Sequence, residues 1–197
     1  FFLAYHHLAG SRPQEGLTYL KPGLGHLART FRLEAGIELA TRALRMPGML
    51  TGEDRVETLL YRAEWHNLRV ERDEQRASLH EAVEWAEASE DAALLARVQV
   101  ALGGFRIGVT DYRAAQDILE EALQRSRELG ERRTEASATQ GLGKVFLKLG
   151  RLEEAGRRCQ EGLAIVRDLG DRPGEAVALE NLANILLFGG HYEESRT

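Results

Sequence analysis

Six histidines, one cysteine, a glycine-rich stretch and several carboxylate pairs are the side chains of this 197-residue chain that could do chemistry. His6 and His7 are adjacent, so on a helix they point about a third of a turn apart and share a ligand poorly. His66 and His80 fall on different helical segments, with no cysteine or clustered carboxylate at metal-ligand spacing. The histidines therefore read as surface or packing residues, and no metal is expected. Cys159 occupies an apolar-stripe position and reads as an inert buried thiol rather than a nucleophile. As the one cysteine it excludes an internal disulfide and points to a reducing, cytoplasmic compartment. The stretch ALGGFRIG (Ala101 to Gly108) resembles a phosphate loop but lacks the Gly-Lys-Ser/Thr ending. The pairs Glu120-Glu121, Glu153-Glu154 and Glu193-Glu194 recur at helix starts or solvent faces, as helix electrostatics predicts and a single acid–base site does not. These residues predict no enzyme and no cofactor.

The elements that would carry these side chains are helices. Ala, Leu, Glu and Arg dominate, only four prolines are present, and alternating β-branched runs are absent. Apolar residues recur at threes and fours, as at Leu119, Ala122 and Leu123, or Cys159, Leu163 and Val166, giving one buried stripe per helix. Gly130, Gly150, Gly170 and Gly190 stand where the stripes end, each suited to a left-handed residue that stops a helix. Glu131 and Asp171 follow, where a helix N-terminus favours negative charge.

The segment RELGERRTEASATQGLGKVFLKLGRLEEA returns forty residues later as RDLGDRPGEAVALENLANILLFGGHYEES. Leu142 answers Leu182, Glu135 answers Glu175 and Gly150 answers Gly190. Small residues recur once per period at Ala63, Gly103, Gly143 and Ala183, and on the second helices at Ala82, Ala122 and Gly162. Each marks a place where two helices press together and a larger side chain would part them. The period predicts an all-α, right-handed α-solenoid of tandem helix-turn-helix units, stacked because a lone helix pair cannot bury its own stripe. The expected units span 52–90, 91–130, 131–170 and a truncated 171–197, after a degenerate helical repeat over 1–50. In that first region LEAGIELATRALRM matches YRAAQDILEEALQR 79 residues on, and a helix over 15–30 is expected to break or bend at Pro22-Gly23. RMPGMLTGED reads as the loosest connection. The chain opens mid-helix and stops as a new helix begins at Arg196-Thr197, so it is read as part of something longer.

Gly143 and Ala183, each preceded by leucine, Tyr112, Leu152 and Tyr192 before the second helices, and Ala115 and Ala155 three residues on, resemble the tetratricopeptide repeat (TPR) family. Gln75 and Ser195 depart from the alanine. The usual period is about 34, and the forty-residue variant is similar to the repeats of Pins-type polarity adaptors. It is also similar to the helical arms of bacterial signalling ATPases, regulators and kinases, the group that VERDEQRASLHEAVEWAEASED resembles more. The resemblance implies that the first helices line a concave face. Exposed positions there would be Asn181, Asn184 and Phe188, then Gln140, Lys144 and Lys148, then Arg97 and Phe105, then Glu57, Tyr61 and Glu64. The segment NLAN resembles the asparagine track with which Pins-type repeats hold a peptide backbone, and an amide offers both donor and acceptor for that work.

The expected function is thus a non-catalytic protein–protein interaction scaffold that binds a peptide or helix on its concave face. The alternative is a regulatory, sensor or self-association arm of a larger signalling ATPase, kinase or transcriptional regulator. A net charge of −5 weighs against a nucleic-acid partner, and no apolar run approaches the ~18 residues of a membrane span. Uncovered Leu182, Leu186 and Phe188 would favour end-to-end or homodimeric self-association.

Overall fold

A computed structural model describes residues 13–194 of the chain, with side chains described from Gly16 to Phe188. Expectations placed on His6, His7, Ser195 and the side chains of Tyr192, Glu193 and Glu194 lie outside the described residues. Nine helices and no strands occur within them. They are α1 (Pro13–Arg29), α2 (Leu33–Leu44), α3 (Gly52–Leu68), α4 (Arg72–Ala88), α5 (Ala92–Gly108), α6 (Tyr112–Leu129), α7 (Arg132–Lys148), α8 (Leu152–Asp168) and α9 (Arg172–Glu194). The chain divides into two compact units, Phe1–Leu94 and Leu95–Thr197.

In the first unit α1 packs on α2 and α3, α2 on α3, and α3 on α4. The core is built from Leu20, Leu24 and Leu27 of α1, Leu39 and Ala43 of α2, Val56, Leu59 and Trp65 of α3, and Leu79 and Ala82 of α4. Trp65 is only 1% exposed and reaches α2 at Gly36, where an added Cβ would lie 2.7 Å from its ring. The expected break does not occur: α1 continues through Pro22 as one helix. Pro22 faces solvent, so the carbonyl it frees can bind water, while Leu20, Leu24 and Leu27 hold the stripe on the opposite side. The connection over 45–51 is the longest between helices among the described residues; Gly48 within it and Gly52, which opens α3, both have positive φ.

In the second unit α6 packs on α7, α7 on α8, and α9 on both α7 and α8. One core cluster joins Leu119 and Leu123 of α6, Leu142, Val145 and Phe146 of α7, Cys159 of α8 and Ile185 of α9. A second joins Ala136 to Leu163, Val166 and Ala178. The expected close contacts are present at Gly103, Gly143 and Gly162, whereas Ala183, expected to make one, is exposed. A Cβ on Gly103 would lie 2.5 Å from Leu119 Cγ, one on Gly143 would lie 2.5 Å from Cys159 Sγ, and one on Gly162 would lie 2.8 Å from Gln140 Cγ.

The turns share one design. A left-handed residue recurs every twenty positions, at Val70, Glu90, Thr110, Gly130, Gly150 and Gly170, with φ between 55° and 74°. At five of the six, the next residue donates its N–H back across the turn to the carbonyl five positions earlier, as Glu71 does to His66 and Arg151 to Phe146 at 2.9 Å. Inside the hairpins the same two residues also join by their side chains. His66 Nδ1 and Glu71 Oε2 lie 2.7 Å apart, Arg106 Nη1 donates to Asp111 Oδ2 at 3.3 Å, and the Arg151 guanidinium sits 4.4 Å over the Phe146 ring. Between hairpins an arginine spans the turn to a glutamate eight residues on: Arg127 to Glu135 at 2.9 Å and Arg167 to Glu175 at 2.8 Å. Glu135 is buried; desolvation would raise its pKa, but the hydrogen bonds from Arg127 and Arg132 outweigh it and hold the carboxyl below its ordinary range.

Three of these left-handed positions are not glycine, and Val70 and Thr110 are β-branched and exposed. That backbone costs an L-residue ~1–2 kcal/mol, while glycine adds about 0.5–1 kcal/mol of unfolded-state entropy. Val70→Gly and Thr110→Gly are each expected to raise stability by ~0.5–1 kcal/mol, with Val70→Ala giving no gain. Urea midpoints check this, and an unchanged midpoint for both glycine variants would contradict it.

The stop expected at Gly190 is not used, since α9 continues to Glu194. Glycine permits a left-handed residue without compelling one.

Candidate functional site

Two of the side chains that first suggested chemistry, His66 and Cys159, are absorbed into the fold. His66 is buried and closes the α3–α4 turn with Glu71, whose carboxyl is held below its usual range by the hydrogen bonds of His66 and Arg69. Cys159 is fully buried, and burial pushes its thiol pKa up. The glycine-rich Ala101–Gly108 stretch is not a loop but the C-terminal half of α5. Among the described residues no group of three or more His, Cys, Asp or Glu is placed to hold a metal. A cleft of about 830 Å³ runs beside α2 and the α3–α4 turn. Of its lining charges, Arg69 is held by Glu34 and Glu71, and Glu71 also meets His66.

Apart from Gln140 and Phe105, the residues expected on the first helices fall at four positions of the period. In the second unit the first position holds Arg97, Ser137 and Val177, and the second holds Ala101, Gly141 and Asn181. The third holds Gly104, Lys144 and Asn184, and the fourth Gly108, Lys148 and Phe188. On α7 and α9 these positions follow one another at helical spacing and so share one face of each helix, and the two helices are in contact. Lys144, Lys148 and Phe188 are exposed, Arg97 and Asn184 half-buried. Gly104 leaves open space, with nothing within 4 Å of where a side chain would begin. Ser137 and Val177 are exposed on the same face, and the period would have pointed to both.

Three residues expected to be exposed are not. Phe105 is 6% exposed because it stands at the core position of the period, shared with Trp65, Val145 and Ile185. Gln140 is 7% exposed because its stem fills the space above Gly162. Asn181 is 6% exposed, and its Nδ2 is buried without an acceptor. In the first unit Tyr61 is half-buried and stacks on Trp65 with ring centroids 5.6 Å apart, Glu57 pairs with Lys21 at 2.7 Å, and Glu64 is exposed.

Tandem helical hairpins, each closed by a left-handed turn and joined through small residues, define the class: the fold is that of TPR-like repeat proteins. Residues 133–197 match the tetratricopeptide repeat family model, which covers α7, α8 and α9. No curated protein matches the chain by sequence. Among solved structures it is similar to BtubC (BKLC) from P. vanneervenii, at a TM-score of 0.67 and 14% identity over 99% of this chain and 80% of that one. It is also similar to a Podosopora anserina putative kinesin light chain with nearly identical TPR-like repeats, at a TM-score of 0.64 and 13% identity over 95% and 92% of the two chains. A singly substituted form of the same Podosopora anserina repeats gives 0.64 and 13% over 97% and 92%. Among the described residues no helix is long and apolar enough to cross a membrane.

Proposed function

We propose that this chain is a protein-interaction module whose second unit holds an extended peptide against the shared face of α7 and α9. TPR-like repeats as a class mediate protein–protein interaction, and the family match falls on these helices. The observation that carries the reading is Asn181. A buried amide nitrogen without an acceptor costs about 1–3 kcal/mol, and rotation about the last side-chain bond swaps its nitrogen and oxygen edges. A peptide carbonyl laid along α9 supplies the missing acceptor. Asn184, three residues on, extends the same amide contact, and exposed Lys144 and Lys148 on α7 favour acidic side chains in the partner. Affinity would come from these few anchors rather than from area.

The test is selection of a random displayed peptide library on the wild-type chain, followed by calorimetry of the selected peptides. Asn181→Ala is expected to weaken binding about tenfold, the equivalent of one lost hydrogen bond to a buried group. Lys144→Ala and Lys148→Ala are expected to shift the preference away from acidic peptides. Peptides that bind all three variants as tightly as wild type would place the site elsewhere.

A further inference from the structure

The cleft along α2 stands open for a reason that the second unit makes visible. There Arg127 of α6 reaches Glu161 of α8 and straps the two helices together. The counterpart of Arg127, at the shift of 79 that aligns α2 with α6, is Gly48, which has no side chain and falls in the connection after α2. The counterpart of Glu161 two periods earlier is Glu81, and Arg55 and Arg62 of α3 engage it instead, at 2.5 and 3.2 Å. Among the described residues α2 and α4 do not pack on each other. About 830 Å³ of space remains, with α2 as one wall and the α3–α4 turn and first turn of α4 as the other. A volume of that size is typical of a ligand site.

The whole of α2 lines this space: Glu34, Ile37, Glu38, Thr41, Arg42 and Arg45 follow at helical spacing. Charge is divided along it. The acidic end gathers Glu34, Glu71 and Glu74 about Arg69, which joins Glu34 at 2.9 Å and Glu71 at 2.7 Å. The basic end holds Arg42 and Arg45, and half-buried Ile37 and Thr41 lie between. Glu74 and Arg45 are exposed, and neither is ion-paired among the described residues. Glu34 and Arg45 stand eleven residues apart, about 16 Å along the helix axis. We propose that the cleft binds an extended peptide segment of a partner protein, with a basic side chain at Glu74, an aliphatic one on Ile37 and an acidic one at Arg45. In an extended chain residues i, i+2 and i+4 share one face and span about 13 Å, and long side chains at the two ends reach the remainder. A helix of the cleft's length, 10–12 Å across, would need roughly 1,300–1,900 Å³, about twice the space present. The Thr41 hydroxyl can both donate to and accept from a peptide backbone.

Three end-blocked pentapeptides test this. All carry a central leucine between serines, and their ends are lysine and glutamate, two lysines or two glutamates. Titrated at low ionic strength into the isotope-labelled chain, the mixed peptide is expected to shift the amide resonances of α2 and the α3–α4 turn. It should bind about fivefold tighter than either uniform peptide, the scale of one exposed ion pair. Arg45→Glu makes both ends acidic and is expected to turn the preference to the two-lysine peptide. Glu74→Lys is expected to turn it to the two-glutamate peptide. Both positions are in solvent, so helical circular dichroism should be unchanged in each variant. Wild type binding all three peptides equally or none of them would overturn the proposal, as would a preference unchanged in both variants. Shifts gathered on α7 and α9 would overturn it as well, since they would assign the peptide to the face proposed above.

Discussion

Leu119→Ala is expected to cost about 2–5 kcal/mol, the range for emptying a buried leucine site whose surroundings cannot collapse. Leu119 is fully buried on α6 and reaches toward glycines on both neighbouring helices. A Cβ built on Gly103 of α5 would lie 2.5 Å from its Cγ, and one built on Gly141 of α7 would lie 3.0 Å from its Cδ atoms. Those two helices cannot close over the vacated space without moving their backbones, so the cavity term persists. The same geometry gives the reciprocal expectation. Gly103→Ala gains about 1 kcal/mol of helix propensity but forces a clash worth ~1–3 kcal/mol, so the clash wins. Gly141→Ala, with flexible methyls 3.0 Å away, is expected to be near neutral. Leu119→Ala removes the clashing atoms, so the double variant with Gly103→Ala should be less destabilised than the sum, by ~0.5–3 kcal/mol. Urea unfolding of the four proteins in the cycle measures this. Strict additivity would show that Leu119 and Gly103 do not press on each other.

The second large effect is expected in the first unit. Trp65→Ala removes a side chain 1% exposed and should cost ~3–5 kcal/mol. Trp65 is the largest fully buried side chain among the described residues, and it joins α3 to α2 through Gly36. Three atoms of its ring would lie 2.7 to 2.8 Å from a Cβ at position 36, and a rigid indole cannot swing its far end aside as leucine can. Gly36→Ala is therefore expected to destabilise by ~1–3 kcal/mol despite its gain in helix propensity. Hydrogen exchange localises the effect: amides of α2 and α3 should lose protection, while an unchanged pattern there would mean that the indole contributes little.

The sequence made the helix spacing and half of the turns readable for a definite reason. Gly130, Gly150 and Gly170 are residues that tolerate a left-handed backbone, so chemistry and geometry agree. Val70, Glu90 and Thr110 adopt the same backbone against their own preference, held by the helices on either side, and only the twenty-residue spacing could have pointed to them. Pro22 misled because its local cost is outweighed by a leucine stripe on the opposite side of α1. Gly190 misled because glycine permits a left-handed residue without compelling one. The face of α7 and α9 was legible as helical spacing, but burial on it was not. Gln140 went inside because Gly162, on another helix, left room for it, a pairing that no single segment displays. Phe105 was within reach, since Trp65, Val145 and Ile185 mark its period position as core.

The short turns have a kinetic corollary. Within the second unit each helix meets partners that are sequential or one removed, so the loops that must close during assembly are small. A chain of that kind has low contact order and can organise quickly from whichever pair forms first. The hairpin of α7 and α8, joined over its length through Gly143 and Gly162, is the natural nucleus, with α6 and α9 adding to its two sides.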